Sequence, residues 1–128
     1  MAISNIHETL LLYTKQKSMI NDQLTGVMLN LMYATTQTAD SQAKYNEQEQ
    51  ALYYEYYGTD TYELMIEDLK KEHEWELATI ESWEADLEVQ KNSLETKLNT
   101  ISSYESSWTK LLQTNIKNDF SYGGVSQG

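Results

Sequence analysis

The chain has 128 residues, enough for a single domain. It contains no proline and no cysteine, and all nine of its basic residues are lysine. This composition excludes a disulfide framework, a thiolate metal site and a cysteine nucleophile, and it leaves long uninterrupted helices open. The net charge of −11 is divided unevenly, −3 over residues 1–58 and −8 over residues 59–128. An acidic surface repels phosphate, and no arginine is present to read base edges, so nucleic acid and anionic membrane surfaces are not expected partners.

From Ile3 onward a seven-residue repeat is plain. Its first and fourth positions are Ile3, Ile6, Leu10, Tyr13, Lys17, Ile20, Leu24, Val27, Leu31, Ala34, Thr38, Ser41, Tyr45, Gln48 and Leu52. Eleven of these fifteen are apolar, about twice what a shuffled chain of this composition would give. The stripe runs without skip or insertion, as a coiled-coil seam does. It predicts a first helix over about residues 3–56.

Tyr56-Tyr57-Gly58-Thr59-Asp60 then interrupts the pattern. Gly58 suits the left-handed conformation that ends a helix. Thr59, Asp60 or Thr61 can cap the next one, and Glu63 and Glu67 suit its positive N-terminal end. The turn is placed at 57–60, with Tyr56, Tyr57 and Gly58 as its marker residues. The tyrosines around it, Tyr53 to Tyr57, form either a contact surface or a lid packed on Leu64 and Met65.

A second helix is predicted over about residues 61–118. The column Ile66, His73, Ile80, Leu87, Leu94, Ile101, Trp108 and Asn115 recurs every seven residues, with six of eight members apolar. Its companion wanders: Leu69, Trp83, Tyr104 and Leu111 lie three residues on, while Leu77, Leu98 and Leu112 lie four on. Residues 121–128, with three glycines, are expected to be a flexible tail, although Phe120 and Tyr122 are of a type that docks.

The short turn requires the two helices to lie antiparallel, pairing residues whose numbers add to about 117. The expected fold is therefore all-α, a long antiparallel two-helix coiled-coil hairpin over residues 1–120. The hairpin seam is assigned to Ile20, Leu24, Val27, Leu31, Ile80, Leu87, Leu94, Ile101 and Trp108. One partner helix covers one face, yet helix one carries Leu11, Leu12, Met19, Met28, Leu29, Met32 and Tyr33 outside its seam. A helix that is apolar on several faces is buried on several faces. Leu12, Met19, Met28, Met32 and Tyr33 are accordingly assigned to an outer interface, where oligomerisation would complete a bundle. The seam exceptions Lys17 and Asn115, placed near Ile101 and the N-terminus by the pairing rule, are the kind of polar group that fixes register and oligomer number.

Chemistry finds little footing. Neither His7 nor His73 has a carboxylate at metal-ligand spacing, and no calcium or phosphate loop is present. The acids between Glu72 and Glu88 read as a solvated helix face. No catalytic, metal or cofactor site is assigned, no cofactor is expected, and the protein is not expected to be an enzyme. His73 falls on the seam, so its protonation is expected to loosen the hairpin in acid. No apolar run reaches the length of a membrane span and the first residues are not a secretory signal, so a soluble chain is expected, cytoplasmic or exported by a leaderless route.

Two resemblances add to this reading. The stretch from Trp75-Glu-Leu-Ala-Thr-Ile-Glu-Ser-Trp to Asn115-Ile-Lys-Asn-Asp-Phe120, within residues 75–124, resembles a group of uncharacterised coiled-coil proteins of gut bacteria and implies a bacterial origin. Tyr56-Tyr57-Gly58 stands where small secreted helical hairpins of the WXG100 type carry Trp-x-Gly at the turn. Their export signal, Tyr-x-x-x-Asp/Glu, follows the second helix, whereas here Tyr45 with Glu49 and Tyr56 with Asp60 match it only before or in the turn. The functions expected are thus a structural subunit of a homo-oligomer or filament or, alternatively, a leaderless exported or secretion-linked binding protein held by another helical protein.

Overall fold

The computed structural model describes the backbone of residues 3–127 and the side chains of residues 3–118. Two α-helices account for nearly all of it, α1 (Ile3–Tyr56) and α2 (Tyr62–Gln127), joined by a turn over 57–61. No strand is present among the described residues. The helices pack against each other as an antiparallel hairpin, as the heptad pattern requires. α2 is drawn to Gln127 where the sequence predicts an end near 118; the side chains of 119–128, and with them the expected tail with Phe120 and Tyr122, lie outside the described residues.

Threonine is a mediocre helix former because its hydroxyl competes for backbone groups. Here that hydroxyl is turned back onto the carbonyl four residues earlier along both helices, as in Thr9 to Asn5, Thr25 to Asn21 and Thr35 to Leu31 on α1 and Thr79 to Trp75 and Thr96 to Asn92 on α2. The threonines thus satisfy themselves within the helix and do not break it.

Gly58 takes φ +85°, the left-handed region where an L-residue is strained by about 1–2 kcal/mol. Thr59, one of three candidate caps for the second helix, also serves the end of the first: its hydroxyl and its amide both donate to the Tyr56 carbonyl, at 2.6 and 3.0 Å, while its own carbonyl accepts from the Tyr62 amide at 3.3 Å. Thr61 opens α2, its carbonyl accepting from the Met65 amide at 3.0 Å.

The chain forms two compact units, residues 27–91 with the turn, and residues 1–26 with 92–128. In the turn-bearing unit Val27, Ala34 and Leu87 are buried, with Ser41 as a buried polar neighbour. Its cross-helix contacts include Ser41 with Glu76, Tyr45 with His73 and Tyr33 with Trp83, whose residue numbers add to between 116 and 118. In the other unit Ile6 and Ile20 are buried, and Tyr13 meets Tyr104 at 6.2 Å, again adding to 117.

Along α1, every seam position from Ile3 to Leu52 except Gln48 is at least half-buried. On α2 the column from Ile66 to Asn115 is covered throughout, with covered neighbours three residues on at Leu69, Glu76 and Trp83 and four residues on at Leu77, Glu84, Lys91, Leu98, Glu105 and Leu112. The two flanks overlap between Glu76 and Glu84, so the covered face of α2 is broad there, as the wandering companion column indicates.

Candidate functional site

Each assigned seam residue lies inside the hairpin, with Ile20, Val27 and Leu87 buried and Leu24, Leu31, Ile80, Leu94, Ile101 and Trp108 half-buried. The off-seam apolar residues of α1 lie on the outside. In the unit of residues 1–26 and 92–128, Leu11, Leu12 and Met19 are exposed, joined on α2 by Tyr104, Leu111 and Ile116. In the turn-bearing unit Met28, Leu29, Met32 and Tyr33 are exposed, Met32 to 67%. Tyr33 meets the Trp83 ring nearly at right angles, with centroids 6.1 Å apart at 79°. Large apolar side chains are thus exposed on α1 in both units.

The face holding these residues is electrically quiet. Between Thr9 and Ala39 the chain bears only Lys15, Lys17 and Asp22 as charged groups. Lys17 is already answered: its Nζ lies 3.1 Å from Glu105 Oε1, with both side chains about one-third exposed. The expected opposite neighbour was Ile101, one helical turn away. The lysine is therefore a cross-helix register contact within this chain and asks for nothing from another copy. Asn115 is half-buried and likewise engaged.

A polar layer crosses the turn-bearing unit at Ser41. The Ser41 hydroxyl donates to Glu76 Oε2 at 2.9 Å, and Lys44 Nζ approaches Oε1 of the same carboxylate at 3.6 Å. His73 stacks on Tyr45, with centroids 4.3 Å apart at 14°. Its Nδ1 lies 3.4 Å from Ser41 Oγ and its Nε2 lies 3.1 Å from Gln42 Oε1, while the Gln42 amide nitrogen donates to Asn46. Serine, histidine and glutamate so placed are not a nucleophile, base and orienting acid. In that arrangement the histidine stands between the other two, whereas here the serine does, and its proton is committed to the carboxylate.

The acid sensitivity of this layer comes from Glu76. The Ser41 hydrogen bond holds its carboxyl below the ordinary value of 4.5; partial burial pulls the other way, and Lys44 and His73 lower it further. A folded value below the unfolded one adds stability above the unfolded value, and that stability is lost as pH falls through the folded one. Wild-type protein should lose resistance to urea below pH 4.5 more steeply than Glu76→Gln does. Superimposable curves for the two would remove this role.

At the turn, Tyr53, Tyr57 and Tyr62 pack on one another at 4.6–6.4 Å, and Tyr54 meets Tyr53 at 5.9 Å. Leu64 is exposed, so the tyrosines are not a lid over it; Met65 is half-buried. Nearby, Leu52, Met65, Leu69 and the exposed Trp75 line an open groove of about 810 Å³. Among the described residues no group of three or more His, Asp or Glu side chains converges to hold a metal. No helix among them is long and apolar enough to cross a membrane.

These features define a class, an antiparallel two-helix hairpin with large apolar side chains exposed on the outside of each unit. Comparison with known protein families, with curated proteins and with solved structures gives no match.

Proposed function

We propose that the protein is a structural assembly subunit in which the off-seam face of α1 packs against a second copy of the chain. The observation that carries this reading is the exposure of Leu11, Leu12, Met19, Met28, Leu29, Met32 and Tyr33 on a helix whose other face is already covered. Burying a methionine or leucine side chain is worth about 1.5–3 kcal/mol, so such residues have a strong reason to find cover. Charge selects the occupant. A stretch with two lysines and one aspartate does not repel its own copy, even in a chain of net charge −11, and it offers no acidic complement to a basic partner.

Met28→Asp and Met32→Asp test the placement. Both side chains are exposed, so each variant should keep wild-type helicity while its native mass falls toward 14.8 kDa. If neither changes the assembly state, the interface does not lie on this face. A different chain co-purifying in stoichiometric amount, with no self-association after its removal, would favour a secretion-linked or other binding protein.

A further inference from the structure

The turn end of the hairpin carries a feature that the packing of the helices does not use. From Tyr45 to Leu69 the chain bears seven carboxylates, Glu47, Glu49, Glu55, Asp60, Glu63, Glu67 and Asp68, and no lysine or histidine. Within this stretch Tyr53, Tyr54 and Tyr62 line an open cavity of about 480 Å³ together with Asn46, Glu49 and Gln50. The rings meet steeply: Tyr54 lies at 80° and Tyr62 at 73° to Tyr53, with centroids 5.9 and 6.4 Å away. Tyr57 supports two of them from the side, 4.6 Å from Tyr53 and 5.7 Å from Tyr62. Tyr45, one helical turn before Glu49, has its phenol held above the ordinary value by burial first and then by the charge and hydrogen bond of Glu49.

Aromatic faces carry partial negative charge, so rings set nearly at right angles make a corner whose walls attract a cation. A carboxylate at its rim supplies the counter-charge. We infer that Tyr53, Tyr54 and Tyr62, with Glu49, form a binding site for a quaternary ammonium group. Such a cation has no N–H to satisfy and is recognised by aromatic faces and charge alone. A lysine-type ammonium is strongly hydrated and would pair as well with any surface carboxylate. A neutral ligand would draw nothing from the seven acids, and an anion would be repelled by them.

The test is a titration of the full chain with choline, and in parallel with its neutral isostere 3,3-dimethylbutan-1-ol, read by the NMR signals of the tyrosine rings. Choline should give saturable shifts confined to Tyr53, Tyr54, Tyr57 and Tyr62, and the isostere should bind at least about fivefold more weakly, the weight of about 1 kcal/mol of cation–π attraction. Tyr54→Leu and Glu49→Gln should each weaken choline binding about three- to fivefold, while Tyr54→Phe retains it. Tyr54 is 83% exposed, so these variants keep the fold. Equal response to the isostere, shifts spread over the molecule or no response would overturn the site, as would undiminished binding in Tyr54→Leu. Trimethyl-lysine peptide and phosphatidylcholine vesicles present the same head group, and tighter binding of either than of choline identifies a protein-borne or a lipid-borne source. If neither exceeds choline, the ligand is a free small cation.

Discussion

Leu87→Asp should abolish cooperative folding of the turn-bearing unit, whereas Val89→Asp two residues away should leave it intact. Leu87 is 2% exposed and lies on the seven-residue column that α2 covers throughout. Truncating such a leucine to alanine already costs about 2–5 kcal/mol. An aspartate there adds an unpaired carboxylate without water, at a further cost of about the same size. Against a total of about 5–15 kcal/mol for a whole domain, this leaves no stable hairpin. Even Leu87→Ala should lower the melting temperature by about 10 °C or more, given the steep temperature response of small units. Val89 is 67% exposed, so its replacement by aspartate should stay within about 0.5 kcal/mol. Circular dichroism melts of the three variants provide the check, and a wild-type melt for Leu87→Asp would show that the core has been misplaced.

Lys17→Glu should weaken the other unit, and the added change Glu105→Lys should restore most of what is lost. The Lys17 Nζ to Glu105 Oε1 distance is 3.1 Å, and the Thr14 hydroxyl approaches the second oxygen of the same carboxylate at 3.5 Å. With both side chains about one-third exposed, solvent screens part of the attraction, so the loss expected from two facing carboxylates is about 1–2 kcal/mol. Urea denaturation of wild type, both single variants and the swap forms a complete cycle. A coupling above about 0.5 kcal/mol establishes that these side chains touch. Strictly additive changes would mean that α1 and α2 are paired in another register here.

Much of the fold is legible in the sequence because a two-helix hairpin is specified by one variable, the face on which apolar side chains recur. Ile3 to Leu52 keep one phase throughout, and Gly58 has few other uses than a left-handed turn. The off-seam set from Leu11 to Tyr33 stands out by subtraction, since a single partner helix cannot reach it. The seam of α2 is harder to read. Its main column is flanked by covered positions on both sides, and several of these, Glu76, Glu84, Lys91 and Glu105, are charged and do not count in an apolar tally.

The polar contacts are less legible for a related reason. Lys17 reads as an exception until Glu105 is seen opposite it, because an offset of a few residues in pairing decides between Ile101 and Glu105. Ser41 looks like a weak seam residue, and only the arrival of Glu76 and His73 from the other helix makes it a buried hydrogen-bonding centre. The steep angles among Tyr53, Tyr54 and Tyr62 likewise depend on side-chain rotamers, which spacing does not encode.

Self-association through α1 is the claim on which the functional account stands, and sedimentation equilibrium of the purified chain over a wide concentration range tests it most directly. A mass that is a multiple of 14.8 kDa and that declines only on strong dilution is expected. A mass of 14.8 kDa persisting at the highest concentrations would contradict it, leaving Met28, Met32 and their neighbours exposed with no copy to cover them.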